Sequence, residues 1–164
     1  MKMSTTKENQ CDIAAIMKRR SLFATTREAI EEWKRQTVYT DCPVVLVKAM
    51  EDENDEVWID KKLFTDVIAF LLEFARRSTG NDQQLKLTVS AGGLQSSRIV
   101  IDYTPLPELA TEMRSPLMKS HFNEVILQIV SQHSGTLEFN EERHGCKITL
   151  ILPPVAAGPQ RRCS

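Results

Sequence analysis

The sequence predicts an α+β fold: a two-layer sandwich with helices on one face of a mixed, mostly antiparallel sheet. Three observations carry this. Apolar residues recur at helical spacing in well-separated stretches. Short runs between them alternate apolar and polar residues, as half-buried strands do. The order helix, hairpin, helix, hairpin, helix, hairpin lets the helices collect on one side of one sheet. At 164 residues the chain is long enough for one domain with a substantial core.

Residues Asp12 to Arg20 are expected to be helical, with Ile13, Ile16 and Met17 on one face. Ser21 to Gln36 follows as a second helix with Leu22, Ala29, Ile30 and Trp33 on its face, capped by Thr25 or Thr26 and with Glu28 in its first turn. These helices either cover the sheet edge or offer surface to a partner; an exposed Trp33 or Phe23 would favour the partner. Pro43 to Met50 reads as a strand, Glu51 to Glu56 as a solvated hairpin loop, and Val57 to Ile59 as the returning strand. Asp60 caps a long helix to Thr79. Leu63, Val67, Leu71, Phe74 and Ala75 form its apolar face, widened by Ile68, Phe70 and Leu72. Gly80-Asn-Asp82 stops it.

Leu85 to Ser90 and Arg98 to Asp102 form a hairpin across Gly92-Gly93. A connection beginning Thr104-Pro-Leu-Pro107 leads to a helix over Met118 to His133, with Phe122, Val125, Ile126, Ile129 and Val130 at helical spacing. Thr136 to Phe139 and Lys147 to Leu152 close as a last hairpin. The expected organisation is a flexible N-terminus over 1–11, one domain over 12–153 with an N-terminal helical extension, and a disordered tail over 154–164.

A formal net charge of -1 gives no electrostatic case for nucleic acid or an anionic membrane surface. No apolar run approaches the ~20 residues that span a bilayer, and the polar start of the chain lacks a secretory pattern, so a cytoplasmic location is expected. Cys11, Cys42, Cys146 and Cys163 are widely spaced and read as free thiols. With His121, His133 and His144 they match no zinc spacing, so no metal site is expected.

The stretch Phe70-Leu-Leu-Glu-Phe-Ala-Arg-Arg-Ser-Thr79 resembles the Asn-box of histidine-kinase-type ATPases, usually Asn-Leu-Leu-x-Asn-Ala-x-Lys-x-Thr. Ile129-Val-Ser-Gln-His-Ser-Gly-Thr-Leu-Glu-Phe139 is similar to that family's Ile-Val-x-x-His-Gly-Gly-x-Ile/Leu-x-Val. Gly145-Cys-Lys-Ile-Thr-Leu-Ile-Leu-Pro153 resembles its closing strand. In this order, over roughly Pro43 to Pro153, they resemble the catalytic ATP-binding domain of sensor histidine kinases, of the GHKL superfamily and Bergerat fold.

The same resemblance implies a degenerate pocket. Phe70 and Phe74 stand where the family places asparagines, and a phenyl ring offers no hard oxygen ligand to Mg²⁺. Arg77 stands for the family's lysine. Asp102-Tyr-Thr104-Pro-Leu106 stands for Asp-x-Gly-x-Gly, keeping the aspartate that would read adenine but losing both glycines. Asp102 is equally readable as a strand-end carboxylate capping a turn. Ser120-His-Phe122 stands where a glycine pair would expose helix amides to phosphate. The segment between these boxes is shorter than the family's lid. No histidine precedes His121, so no phosphoacceptor of the family's kind is evident.

The expectation is a non-catalytic, pseudo-ATPase module of two-component signalling with no catalytic residues and no cofactor. It would bind a histidine kinase, phosphotransferase or response regulator. Two alternatives stay open: an enzyme domain with weak ATP and Mg²⁺ binding, or a phosphotransfer protein with a degenerate ATPase-like domain. Phe74 and Phe122 are expected to fill the vacated pocket. For Phe70, pocket and ordinary core are equal readings.

Overall fold

The computed structural model describes residues 15–37, 43–49, 54–79, 83–91, 95–106 and 124–158. Along the chain these form β1 (Lys18–Ser21), α1 (Leu22–Gln36), β2 (Val44–Lys48), β3 (Glu56–Ile59), α2 (Lys61–Ser78), β4 (Leu85–Ser90), β5 (Ser97–Tyr103), α3 (Glu124–Gln132), β6 (Thr136–Glu142) and β7 (Gly145–Leu152). The five-stranded sheet has the order β2-β4-β5-β7-β6, and β1 pairs with β3 as a separate two-stranded ribbon. All pairs are antiparallel except β2 with β4.

Strand alternation sends one set of side chains to the helices. Leu85, Leu87, Val89, Ile99, Ile101, Ile148, Leu150 and Leu152 are buried there with Phe64, Val67, Ile68, Leu71, Leu72 and Ala75 of α2 and Ile126, Ile129 and Val130 of α3. The sandwich expected from the sequence is the fold observed, and its last two hairpins, β4 with β5 and β6 with β7, form as expected.

The first hairpin does not form. β2 lies parallel to β4, and β3 pairs with β1 instead. Parallel strands need a crossover, and the segment containing α2 provides one. The acidic run between β2 and β3 is correspondingly more than a solvated loop. Asp55 is buried and accepts hydrogen bonds from Ser21 Oγ at 2.7 Å and Phe23 N at 2.8 Å, tying down the start of α1. Residues 51–53 lie outside the described part.

A second correction concerns Asp12 to Arg20, expected as a helix. Residues 18–20 belong to β1, where the β3 ladder overrides local helical patterning, and Ile16 is exposed at 69%. Residues 12–14 are not described. The cap of α1 is Ser21, whose Oγ accepts from Ala24 N at 3.1 Å; Thr25 and Thr26 lie buried inside the helix.

The core includes α1. Trp33 is 3% exposed and donates from Nε1 to Glu73 Oε1 on α2 at 3.1 Å. Phe23 packs against the core, with Lys48 Nζ 5.5 Å and Arg27 Cζ 6.0 Å from its ring centroid. Neither aromatic is a free anchor, so α1 completes the helical layer.

Two further expectations change at the C-terminal end. Val125, expected on the core face of α3, is 48% exposed; residues 118–123 are outside the described part. Within the tail expected to be disordered over 154–164, Val155–Ala157 forms a 3₁₀ turn and Val155 O accepts from Trp58 Nε1 at 3.1 Å. Residues 159–164 are not described. Cys146 is buried as a free thiol.

Asp60 caps α2 as expected, and it does more. Its Oδ1 accepts from Leu63 N at 3.1 Å and its Oδ2 from Ile16 N at 2.7 Å. Asp60→Ala removes the cap and a second hydrogen bond, so a loss of about 2–3 kcal/mol is expected in urea unfolding.

Candidate functional site

Of the residues singled out in the sequence, Phe70, Phe74 and Arg77 lie on the C-terminal half of α2, and Asp102, Thr104 and Leu106 lie at and just beyond the end of β5. Phe70 and Phe74 project from successive turns of α2 and are half-buried, packed against the rim of the core. The Phe74 ring meets Phe139 of β6 edge-on, with centroids 6.4 Å apart and planes at 64°. That contact carries α2 across to the edge of the sheet.

Arg77 points outward, its side chain 76% exposed and 3.6 Å from Glu73 Oε2. Its neighbour Arg76 is the arginine that turns into the fold, at 3% exposure, with Nη1 donating to Thr79 Oγ1 at 3.3 Å. Thr79 in turn donates its hydroxyl and its N–H to Arg76 O, closing the end of α2.

Asp102 lies on the opposite side of the sheet from α2. Residues Ile99, Ile101 and Tyr103 of β5 face the helices, so Asp102 faces away, between Lys86 and Lys147 in the ladder. Lys147 Nζ is 3.8 Å from Asp102 Oδ1 and 3.0 Å from Glu142 Oε1, and Glu142 chiefly, with Asp102, raises the lysine's pKa above its ordinary value. What surrounds Asp102 is the charge of Lys147 across the ladder.

Tyr103 occupies the helix-facing position instead. It is 3% exposed, and its hydroxyl has no hydrogen-bond partner among the described residues. Burial, with the Cys146 thiol across the ladder, holds the phenol well above its usual range. The Ile99-x-Ile101-x-Tyr103 alternation was the signal that could have placed it. Backbone approach is close here: a Cβ on Gly145 would lie 2.9 Å from Tyr103 O.

Thr104 is exposed, and Leu106 donates its N–H to Ser78 O at 2.8 Å, tying the connection after β5 to the end of α2. Ser120 and Phe122, and with them the pocket filling expected of Phe122, lie outside the described residues. Among the described residues no group of three His, Cys, Asp or Glu is arranged to hold a metal ion. No described helix is long and apolar enough to cross a membrane.

His133, at the end of α3, is buried at 5%. Its Nε2 accepts from Asp60 N at 3.1 Å, and its Nδ1 contacts Ile129 O at 2.8 Å.

No protein-family model matches the sequence, and neither does any curated protein. Solved structures do match. The nucleotide-free catalytic domain of the histidine kinase ThkA superposes with a TM-score of 0.64 at 16% identity, over 84% of this chain and 97% of that one. The mycobacterial sensor histidine kinase MprB gives 0.63 at 14% identity, over 84% of this chain and 97% of that one. ThkA in complex with the response regulator TrrA gives 0.61 at 16% identity, over 96% of this chain and 48% of that one. The fold is therefore that of the histidine-kinase catalytic, ATP-binding domain.

Phe74→Asn replaces a half-buried ring by an amide, and a loss of about 1–3 kcal/mol is expected in urea unfolding. Tyr103→Phe deletes a buried hydroxyl that lies beside the Cys146 thiol; stability is expected to change by less than about 1 kcal/mol, read as a small shift in Tm.

Proposed function

We propose that this protein is a non-catalytic, histidine-kinase-like module that acts in phosphorelay signalling by binding another protein. One observation carries the reading: both positions at which the resemblance calls for metal-binding asparagines hold phenylalanines packed on the core rim. Mg²⁺ requires hard oxygen ligands in near-octahedral geometry. Phe70 and Phe74 supply none. Asp102, the surviving box residue, faces the other side of the sheet and sits by Lys147, while the apolar-packed Tyr103 takes the helix-facing place. These residues do not fit a Mg²⁺-nucleotide.

A domain that keeps the fold while losing the donors retains its surface as the working part. The response regulator bound by ThkA, a protein of the same fold, supports a phosphorelay protein as the partner class. A cytoplasmic setting goes with that role.

Calorimetric titration with ATP, with and without Mg²⁺, tests the reading. No heat of binding is expected up to millimolar nucleotide, equivalent to an affinity weaker than about -4 kcal/mol. Micromolar, Mg²⁺-dependent binding would overturn it and favour a residual nucleotide-binding domain.

A further inference from the structure

The turn after α3 adopts a backbone conformation that L side chains disfavour. Ser134 has a φ of 53°, in the left-handed region usually given to glycine or asparagine at a helix end. Its hydroxyl is buried and has no hydrogen-bond partner among the described residues. The turn is closed nonetheless. Ser134 N donates to Ser131 O and Gly135 N to Val130 O, both at 2.9 Å. It is also pressed against β7, since a Cβ on Gly135 would lie 2.7 Å from Ile151 O.

His133 fastens this turn to the rest of the fold. A backbone N–H can only donate, so the 3.1 Å contact with Asp60 N makes Nε2 an acceptor. Nδ1 then carries the proton and donates to Ile129 O at 2.8 Å. The two contacts together specify the neutral Nδ1–H tautomer. The ring also lies against Phe64, with centroids 6.3 Å apart.

We propose that His133 is an acid-sensitive latch on the end of α3, keeping a strained cap closed while its ring is neutral. Protonation turns Nε2 into a donor facing the Asp60 N–H. That hydrogen bond is lost, a charge is left in a buried place, and the Ser134 cap is free to relax. The charged group facing the ring is Asp60, from the β3–α2 junction; α2 presents the Phe64 ring and α3 the Ile129 carbonyl. The Asp60 carboxylate favours the cation, but burial outweighs it and holds the imidazole below its ordinary pKa. The opened form takes up a proton near the usual histidine value of about 6.5, before the closed form does. The latch is therefore at full strength above that pH and weakens as pH falls below it.

Hydrogen exchange on the full chain at pH 7.5 and 5.5, corrected for intrinsic rates, tests this in the wild type, His133→Gln and Ser134→Gly. The wild type is expected to lose up to about tenfold protection at the Asp60 and Ser131–Gly135 amides at pH 5.5, one unit below the free histidine value. Amides of β4 and β5 should keep theirs. The step should vanish in His133→Gln and shrink in Ser134→Gly, whose cap is unstrained. Equal protection at both pH values, a loss spread evenly through β4 and β5, or the same step in His133→Gln would overturn the latch. Ring ¹⁵N shifts of wild-type His133 give an answer even if His133→Gln fails to fold. Nε2 should be unprotonated at pH 7.5, with a titration midpoint below that of a free histidine; a protonated Nε2 or an ordinary midpoint would overturn the proposal.

Discussion

Asp60 is the residue on which the arrangement of the fold converges. Its carboxylate accepts the Leu63 amide in the first turn of α2 and the Ile16 amide ahead of β1, while its own N–H donates to His133 at the end of α3. Three segments distant in sequence are thereby fixed to one point. The contact with His133 is buried, and leaving such a donor unmet costs about 1–3 kcal/mol; the Ile16 and Leu63 contacts are partly buried. A neutral His133 is part of that constraint, because only an imidazole with a free lone pair can receive the Asp60 amide.

From this point α2 runs beside α1 in the helical layer, and its two ends differ in character. The first turns bury Phe64, Val67 and Ile68 completely. The last turns carry Phe70 and Phe74 at the rim of the core, Arg76 folded inward, and Arg77 in solvent. Aromatic rings at the rim bury apolar area without any ligand. A pair of amides in the same places would stay hydrated unless a bound group satisfied them. The opposite face of the sheet holds a separate ladder of charge, Lys86, Asp102 and Lys147 with Glu142 beside them. The helix-facing side of these strands holds Tyr103 and Cys146.

Much of the fold was legible along the chain. The apolar faces of α1, α2 and α3 follow a 3.6-residue period, and β4, β5 and β7 follow a two-residue period. Asp60 announced its cap by type and place. The hairpins of β4 with β5 and β6 with β7 were readable because short turns leave little choice of partner. The Phe70 and Phe74 positions were legible in the candidate site because they sit in a run of otherwise matching text. Tyr103 was not found, since Asp102 beside it offered a more familiar chemistry; one step along a strand reverses the face, and so the assignment. Arg76 and Arg77 were indistinguishable by type, and only the end of the helix decided which turned inward.

The sequence by itself determined which face α1, α2, β4, β5 and β7 bury, because periodicity acts through the side chains of each segment alone. It also determined that oxygen ligands are absent from the two α2 positions. Tertiary structure decided which segments pair: β2 with β4 in parallel, β1 with β3, and Lys18 to Arg20 as strand where local pattern suggested helix. It decided the long-range polar contacts of Asp55, Asp60 and His133 as well. The physical reason is common to both. A ladder hydrogen bond joins backbone groups that every residue carries, so its partner is chosen by crossover geometry and by the burial of distant surfaces.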